Sequence, residues 1–195
     1  MPNNILKEEF LTICRENIHR EGLDSLLDWM KNESDFFIAP ASTRFHGNHK
    51  CGLLEHSLNV YKTTLELTNH FHSSISTESI AIAALFHDLC KANYYSLSTK
   101  NVKNEETGVW SKEPYYKSDD QYPVGHGEKS VILLLKHIKL TDDEIYAIRW
   151  HMGGFDSAVK GGDYSCGKVY EICPLAVILH LADMAASYLM EERKE

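Results

Sequence analysis

The sequence predicts an all-α fold interrupted by one β-rich insertion. Three observations lead there. Apolar residues recur at steps of three and four along most of the chain, the spacing that gathers them on one face of a helix. Capping residues stand where those segments begin and end. Residues 93–123, "NYYSLSTKNVKNEETGVWSKEPYYKSDDQYP", break the rhythm: they are rich in Tyr, Thr, Val and Trp around the turn-forming "NEETG".

Residues 4–20 carry Ile5 or Leu6, Phe10, Ile13 or Cys14 and Ile18 at helical spacing, with Gly22 as the stop. "LDSLLDWM" reads as a short second helix. Residues 33–50, with Pro40 and Gly47, read as an irregular loop. Gly52 opens a clear helix, "GLLEHSLNVYKTTLELTNHF", and Ser76 or Thr77 can cap the next, "ESIAIAALFHDL". The insertion, about 94–118, reads as a β-hairpin lying over the mouth of any site. Tyr94, Tyr95, Trp110, Tyr115 and Tyr116 are then available to stack on a ring, or only to pack. A helix is expected from about Gly127. Thr141 and Glu144 form a capping box for "DDEIYAIRWHM". Residues 153–167 read as a glycine-rich loop. Pro174 suits the first turn of a last helix over 174–193.

The 195 residues, 43% hydrophobic and 25% charged, suit one domain spanning 1–195. A net charge of −8 argues against an extended nucleic-acid-binding surface. It leaves room for a small phosphate-bearing substrate, since a bound cation can supply local positive charge. No apolar run reaches the length of a membrane span, and the N-terminus lacks the pattern of a signal peptide. Five scattered cysteines without a C-x-x-C pair fit reduced thiols, hence a cytoplasmic setting, and read as packing residues. The oligomeric state is not encoded legibly.

The informative residues are polar groups inside apolar helices. His56 shares a face with Leu53, Val60 and Tyr61. His87 and Asp88 share one with Ile80 and Ala84, and Asp183 shares one with Leu179 and Ala186. An unpaired carboxylate aimed at a core is costly and takes up a proton. Imidazoles and carboxylates converging from separate helices make sense around a borderline cation such as Mn, Fe, Co, Ni or Zn. His126 in "VGHGEKS" and His151 in "IRWHMGG" adjoin glycines, which permit close approach.

The ordered set His56, His87–Asp88, His126, His151, Asp183 resembles the HD-domain superfamily of metal-dependent phosphohydrolases. "CGLLEHSLNVY" and "AALFHDLCK" are especially similar to segments of the HD domains of bacterial 3′–5′ exoribonucleases. The resemblance covers about residues 46–187 and implies a helical bundle around a metal centre. His56, His87, Asp88 and Asp183 would be its core ligands, and His126 and His151 would complete a second site. Two departures stand out. Cys90 replaces the usual small residue before Lys91, and only about 45 residues lie upstream, so no separate nucleic-acid-binding module is expected. The implied activity is hydrolysis of a nucleotide or other small phosphate ester, monoester or diester, by a metal-activated hydroxide. Divalent ions, two per chain, of Mn, Fe, Ni, Co, Zn or Mg would be held with Asp88 as bridge. Diiron oxygenases with the same six ligands and nucleotide-sensing modules are the alternatives within the superfamily.

Around this set, Lys91 either complements a helix C-terminus or, by the resemblance, meets a phosphate. Asp88 and Lys91 are thus the catalytic candidates. His49, with Lys50, is placed to reach substrate or to sit in a surface loop. His180, one turn before Asp183, is a second-sphere or core histidine. Arg149 points away from His151, and His19, His70, His72 and His137 read as surface or boundary residues.

Overall fold

The computed structural model describes residues 2–191. Its helices are α1 (Pro2–Asn17), α2 (Leu23–Asn32), α3 (Gly52–His70), α4 (Thr77–Phe86), α5 (His126–Leu135), α6 (Asp142–Trp150), α7 (Ser157–Lys160), α8 (Ser165–Ile172) and α9 (Pro174–Ala185). The strands β1 (Tyr95–Lys103) and β2 (Trp110–Ser118) form one antiparallel hairpin. The fold is therefore the expected helical bundle with a hairpin insertion.

Helix α4 is its axis. Every residue from Ile80 to Phe86 is buried, and α1, α3, α6 and α9 pack around it. A helix apolar on all sides belongs at the centre of a bundle. Ser76 caps it by accepting from the Ser79 backbone N–H. Phe10 of α1 meets Phe86 edge-on, with ring centroids 5.8 Å apart.

A polar clamp fixes α6 against this axis. The Glu144 side chain is fully buried, and its oxygens accept from Arg20 Nη1 and Nη2 at 2.9 and 2.8 Å, from Ser79 Oγ at 2.8 Å and from the Thr141 N–H at 2.8 Å. The last of these belongs to the expected capping box.

Three boundaries differ from the sequence reading. Helix α5 starts at His126 itself. The stretch 153–167 folds into short helical turns, with Asp156 capping α7 by accepting from the Ala158 N–H. The last helix gives way to a π-turn at Ala186–Met190 and extended backbone at Glu191, and the part of the expected helix at 192–193 lies outside the described residues. Among the described residues, no single helix is long and apolar enough to cross a membrane.

The base of the hairpin joins the bundle through Tyr95, whose hydroxyl donates to the Ala41 carbonyl at 3.2 Å. Further along, the face that carries Leu97 and Trp110 lies open, the two being 69% and 65% exposed. Trp110 pairs with Lys103 at the far end of the ribbon, eight residues from Tyr95, or roughly 26 Å at a strand's rise per residue. Trp110 thus stands far along the ribbon from Tyr95 and is not among the residues that line the cavity at the bundle.

The clamp predicts a large effect. Removing one partner of a buried charged pair strands the other. Glu144→Ala should lower unfolding free energy by about 3 kcal/mol in urea titrations. A loss under about 1 kcal/mol would contradict the clamp's role.

Candidate metal centre

Helices α4 and α6 end alike. His87 and His151 are their C-cap residues. The last carbonyls of a helix lack partners within it. His87 Nδ1 donates to the Ala84 carbonyl at 2.8 Å, and His151 Nδ1 to the Ile148 carbonyl at 2.7 Å. A carbonyl only accepts, so a hydrogen sits on Nδ1 and each ring turns its Nε2 inward. A carboxylate orients His56 on α3 in the same way: its Nδ1 donates to Glu191 Oε1 at 2.9 Å.

These Nε2 atoms converge in a dry place. His56, His87 and His151 have no exposed side-chain surface, and Asp88 has 3%. His56 Nε2 and His87 Nε2 stand 3.2 Å apart. Two acceptors at that distance repel unless a cation, or a proton in its place, lies between them. His151 Nε2 is buried with no hydrogen-bond partner at all, an uncommon and costly condition.

Asp88 divides its two oxygens. Oδ2 lies 3.6 Å from His56 Nε2 and 3.5 Å from His87 Nε2. Oδ1 lies 2.8 Å from His126 Nε2 and 3.6 Å from His151 Nε2. Asp183 Oδ1 joins from α9, 3.3 Å from His56 Nε2, and accepts from Ser187 Oγ at 3.2 Å. Donors sharing an ion at about 2.1 Å with bond angles near 90–110° stand about 3.0–3.4 Å apart. The observed spacings bracket that range. The donor groups His56/His87/Asp88, His87/His151/Asp183 and Asp88/His126/His151 could each hold a metal ion. Imidazole and carboxylate donors suit divalent Mn, Fe, Co, Ni or Zn.

Glycine brings the last histidine in. A Cβ on Gly127 would lie 2.2 Å from the Arg149 carbonyl, so only glycine lets the start of α5, with His126, reach the end of α6, with His151. Beyond His151, Gly153 has φ +51°, and a Cβ there would strike the His180 ring. His180 Nδ1 donates to the His151 carbonyl at 2.6 Å, which fixes the backbone of that ligand.

The charges reflect this crowding. Burial works against a charged His56, yet Asp183 and Glu191 outweigh it and lift the imidazole to about 9. Burial also opposes the Asp88 carboxylate, but Lys91 and His87 hold it well below the usual range. Burial pushes His151 down.

The six histidine and aspartate positions read from the sequence come together, and Lys91 joins them, its Nζ 2.6 Å from Asp88 Oδ2. His49 does not. It is about half exposed, lies 3.7 Å from Glu55, and lines a separate smaller pocket, because the turn at Gly47–Cys51 directs it outward. His46 takes the inward place instead, its ring 4.8 Å from that of His56. Sequence reasoning missed His46 and Glu191: the first sits in an irregular loop with no periodicity to betray it, whereas Glu191 follows Asp183 by eight residues, on one face of the helix expected over 174–193, a signal that could have found it. Cys90 packs against a candidate ligand. Its Sγ lies 3.3 Å from Nδ1 and 3.7 Å from Nε2 of His126, flat against that ring. Arg149 turns away from the centre and bridges Glu128 and Asp156 at 2.6 and 2.9 Å.

A cavity of about 690 Å³ opens above the centre. Asp88, His126 and Asp183 form part of its lining, together with Lys91, Lys129, Tyr94 and Tyr95 and with Met152, Phe155, Met184 and Tyr188.

Residues 53–186 match the family model described as the HD domain. No curated protein and no solved structure matches the chain.

The charge balance predicts how metal binding responds to pH. Below about 9 the metal-free His56 carries a proton that a cation must displace. Affinity for Mn²⁺ should therefore rise with pH from about 6, by up to about tenfold per unit while one proton is lost, and level off near 9. Calorimetry at pH 7 in buffers of different ionisation heat should show proton release. Binding without any release would contradict this protonation state.

Proposed function

The chain belongs to the HD-domain family, and from that premise we propose that it is a phosphohydrolase of a nucleotide or similar small phosphate ester, dependent on two divalent ions. The observation that carries this reading is the divided Asp88 carboxylate: one oxygen faces His56 and His87, the other His126 and His151. That is the arrangement of a bridge between two half-sites. The first would use His56, His87 and Asp183 with Asp88; the second would use His126 and His151 with Asp88. Divalent ions held there supply Lewis acidity toward a phosphoryl oxygen and make a water acidic enough to attack phosphorus near neutral pH.

The chain's own residues do the rest. The Ala84 and Ile148 carbonyls and Glu191 hold three imidazoles in the tautomer that presents Nε2. Asp88, Asp183 and Glu191 alone would repel a phosphate, so the cations are needed for substrate to approach. Lys91 lines the cavity beside Asp88, where its ammonium can neutralise charge gathering on phosphoryl oxygens. Tyr95, pushed up to about 12 by burial, stays a neutral phenol, and its bond to Ala41 makes it a fixed wall. The apolar wall at Met152, Phe155 and Met184 suits the base or another ring of the ester.

Metal analysis joined to a substrate panel tests this reading. Protein stripped and reloaded with Mn²⁺ should release phosphate or cleave a phosphodiester without oxygen, and Asp88→Asn should lose at least about a hundredfold in kcat. Turnover that needs iron and stops when oxygen is removed would replace the hydrolase with an oxygenase. A ligand held tightly but never turned over would make the protein a sensor.

The half-sites can be counted separately. Stoichiometry near two ions per chain should fall toward one in the His126→Ala/His151→Ala protein, with folding checked by circular dichroism. A wild-type chain that saturates at one ion would refute the second half-site.

A further inference from the structure

Lys129 is the least expected charge in the cavity wall. Its side chain is 8% exposed, yet it ends in an ammonium 2.6 Å from Asp120 Oδ1 and 5.1 Å from the centre of the Tyr94 ring. Lysine seldom buries itself this far without a reason beyond packing. On α5 it follows His126 by three residues, so their Cβ atoms lie on one helix face about 5–6 Å apart. Lys91 stands on the same cavity with its ammonium on Asp88. One ammonium therefore adjoins the Asp88 bridge, and a second lies one helical turn along from His126.

The Lys129–Asp120 pair is lopsided. Asp120 is 30% exposed on the loop between β2 and α5, whereas Lys129 is enclosed by the cavity wall. An incoming anion can displace Asp120 toward solvent more easily than it can move Lys129. Resting on the phosphohydrolase reading, we propose that Lys129 is a specificity residue for a second anionic phosphoryl group, so that the substrate carries a diphosphate or longer chain. The phosphoryl group at the metal centre then has its neighbour within reach of Lys129, and Asp120 holds the ammonium in place until that group arrives. The aromatic and sulfur-containing lining residues Met152, Phe155 and Met184 are left for the organic part of the ester.

Methylenediphosphonate, which cannot be hydrolysed at its P–C–P linkage, and orthophosphate are the probes, titrated by calorimetry into the Mn²⁺-loaded full chain. The wild type should bind the diphosphonate at least about tenfold tighter than orthophosphate, the scale of one added charge-assisted hydrogen bond. Lys129→Met should remove most of that preference, Lys129→Arg should keep it, and Asp120→Asn should strengthen diphosphonate binding by freeing the ammonium. Steady-state KM for diphosphate esters should rise in Lys129→Met more than kcat falls. An unchanged preference in folded Lys129→Met would overturn the role of Lys129 and leave the hydrolase reading standing. A wild type that binds neither probe with metal present would overturn both.

Discussion

One buried carboxylate governs the arrangement of the molecule. Asp88 is 3% exposed at its side chain and lies within 3.6 Å of a nitrogen from each of His56, His87, His126 and His151, with Lys91 at 2.6 Å. A carboxylate in such surroundings is tolerable only while cationic groups or donors enclose it. Those groups come from α3, the end of α4, the start of α5 and the end of α6, and Asp183 brings α9 to the same point. Each helix is thus tied to the others by a charge requirement as well as by apolar packing. The fully apolar α4 supplies the second constraint, since it must be wrapped on all sides to be buried at all.

Helix ends are where the two constraints meet. A helix terminus inside a protein leaves carbonyls that need donors. Here the imidazoles at the ends of α4 and α6 supply them, and the same hydrogen bond selects the tautomer that a cation requires. The partial negative charge of those C-termini also favours positive charge nearby. A local structural need and a functional geometry are therefore met by one side chain. This explains why a histidine stands at the buried end of an apolar run, where a leucine would leave the carbonyl unpaired.

Much of this was legible in the sequence because it followed a period. His56, His87, Asp88 and Asp183 announce themselves as polar residues on apolar helical faces, and the Thr141 capping box announces the start of α6. His126 and His151 were legible through their glycines, and Gly127 turns out to be what lets α5 approach α6. What stayed hidden mostly lacked such a rule. His46 and His49 sit three residues apart in an irregular loop, and only the turn at 47–51 decides that the first faces inward and the second outward. Glu191 follows Asp183 at helical spacing, but it reaches His56 after a π-turn that no sequence pattern marks. The aromatic residues of the insertion looked equivalent by composition. The register separates them, placing Tyr95 at the bundle and Trp110 at the free tip.

The hairpin's geometry also bears on how the cavity selects what enters it. A two-stranded ribbon has no core of its own, and the base of this one lines the cavity through Tyr94, Tyr95 and Ser118. The lining of the cavity is of unlike character. It includes two ammonium groups, each held by a carboxylate, and the apolar Met152, Phe155 and Met184. An anionic group placed against the thioethers would lose its hydration without compensation, and an apolar ring placed between the ammonium groups would desolvate them in turn. Under the phosphohydrolase reading, a ligand with one anionic end and one apolar end is therefore favoured with its anionic end toward the ammonium groups and the cations that Asp88 and its histidines would hold.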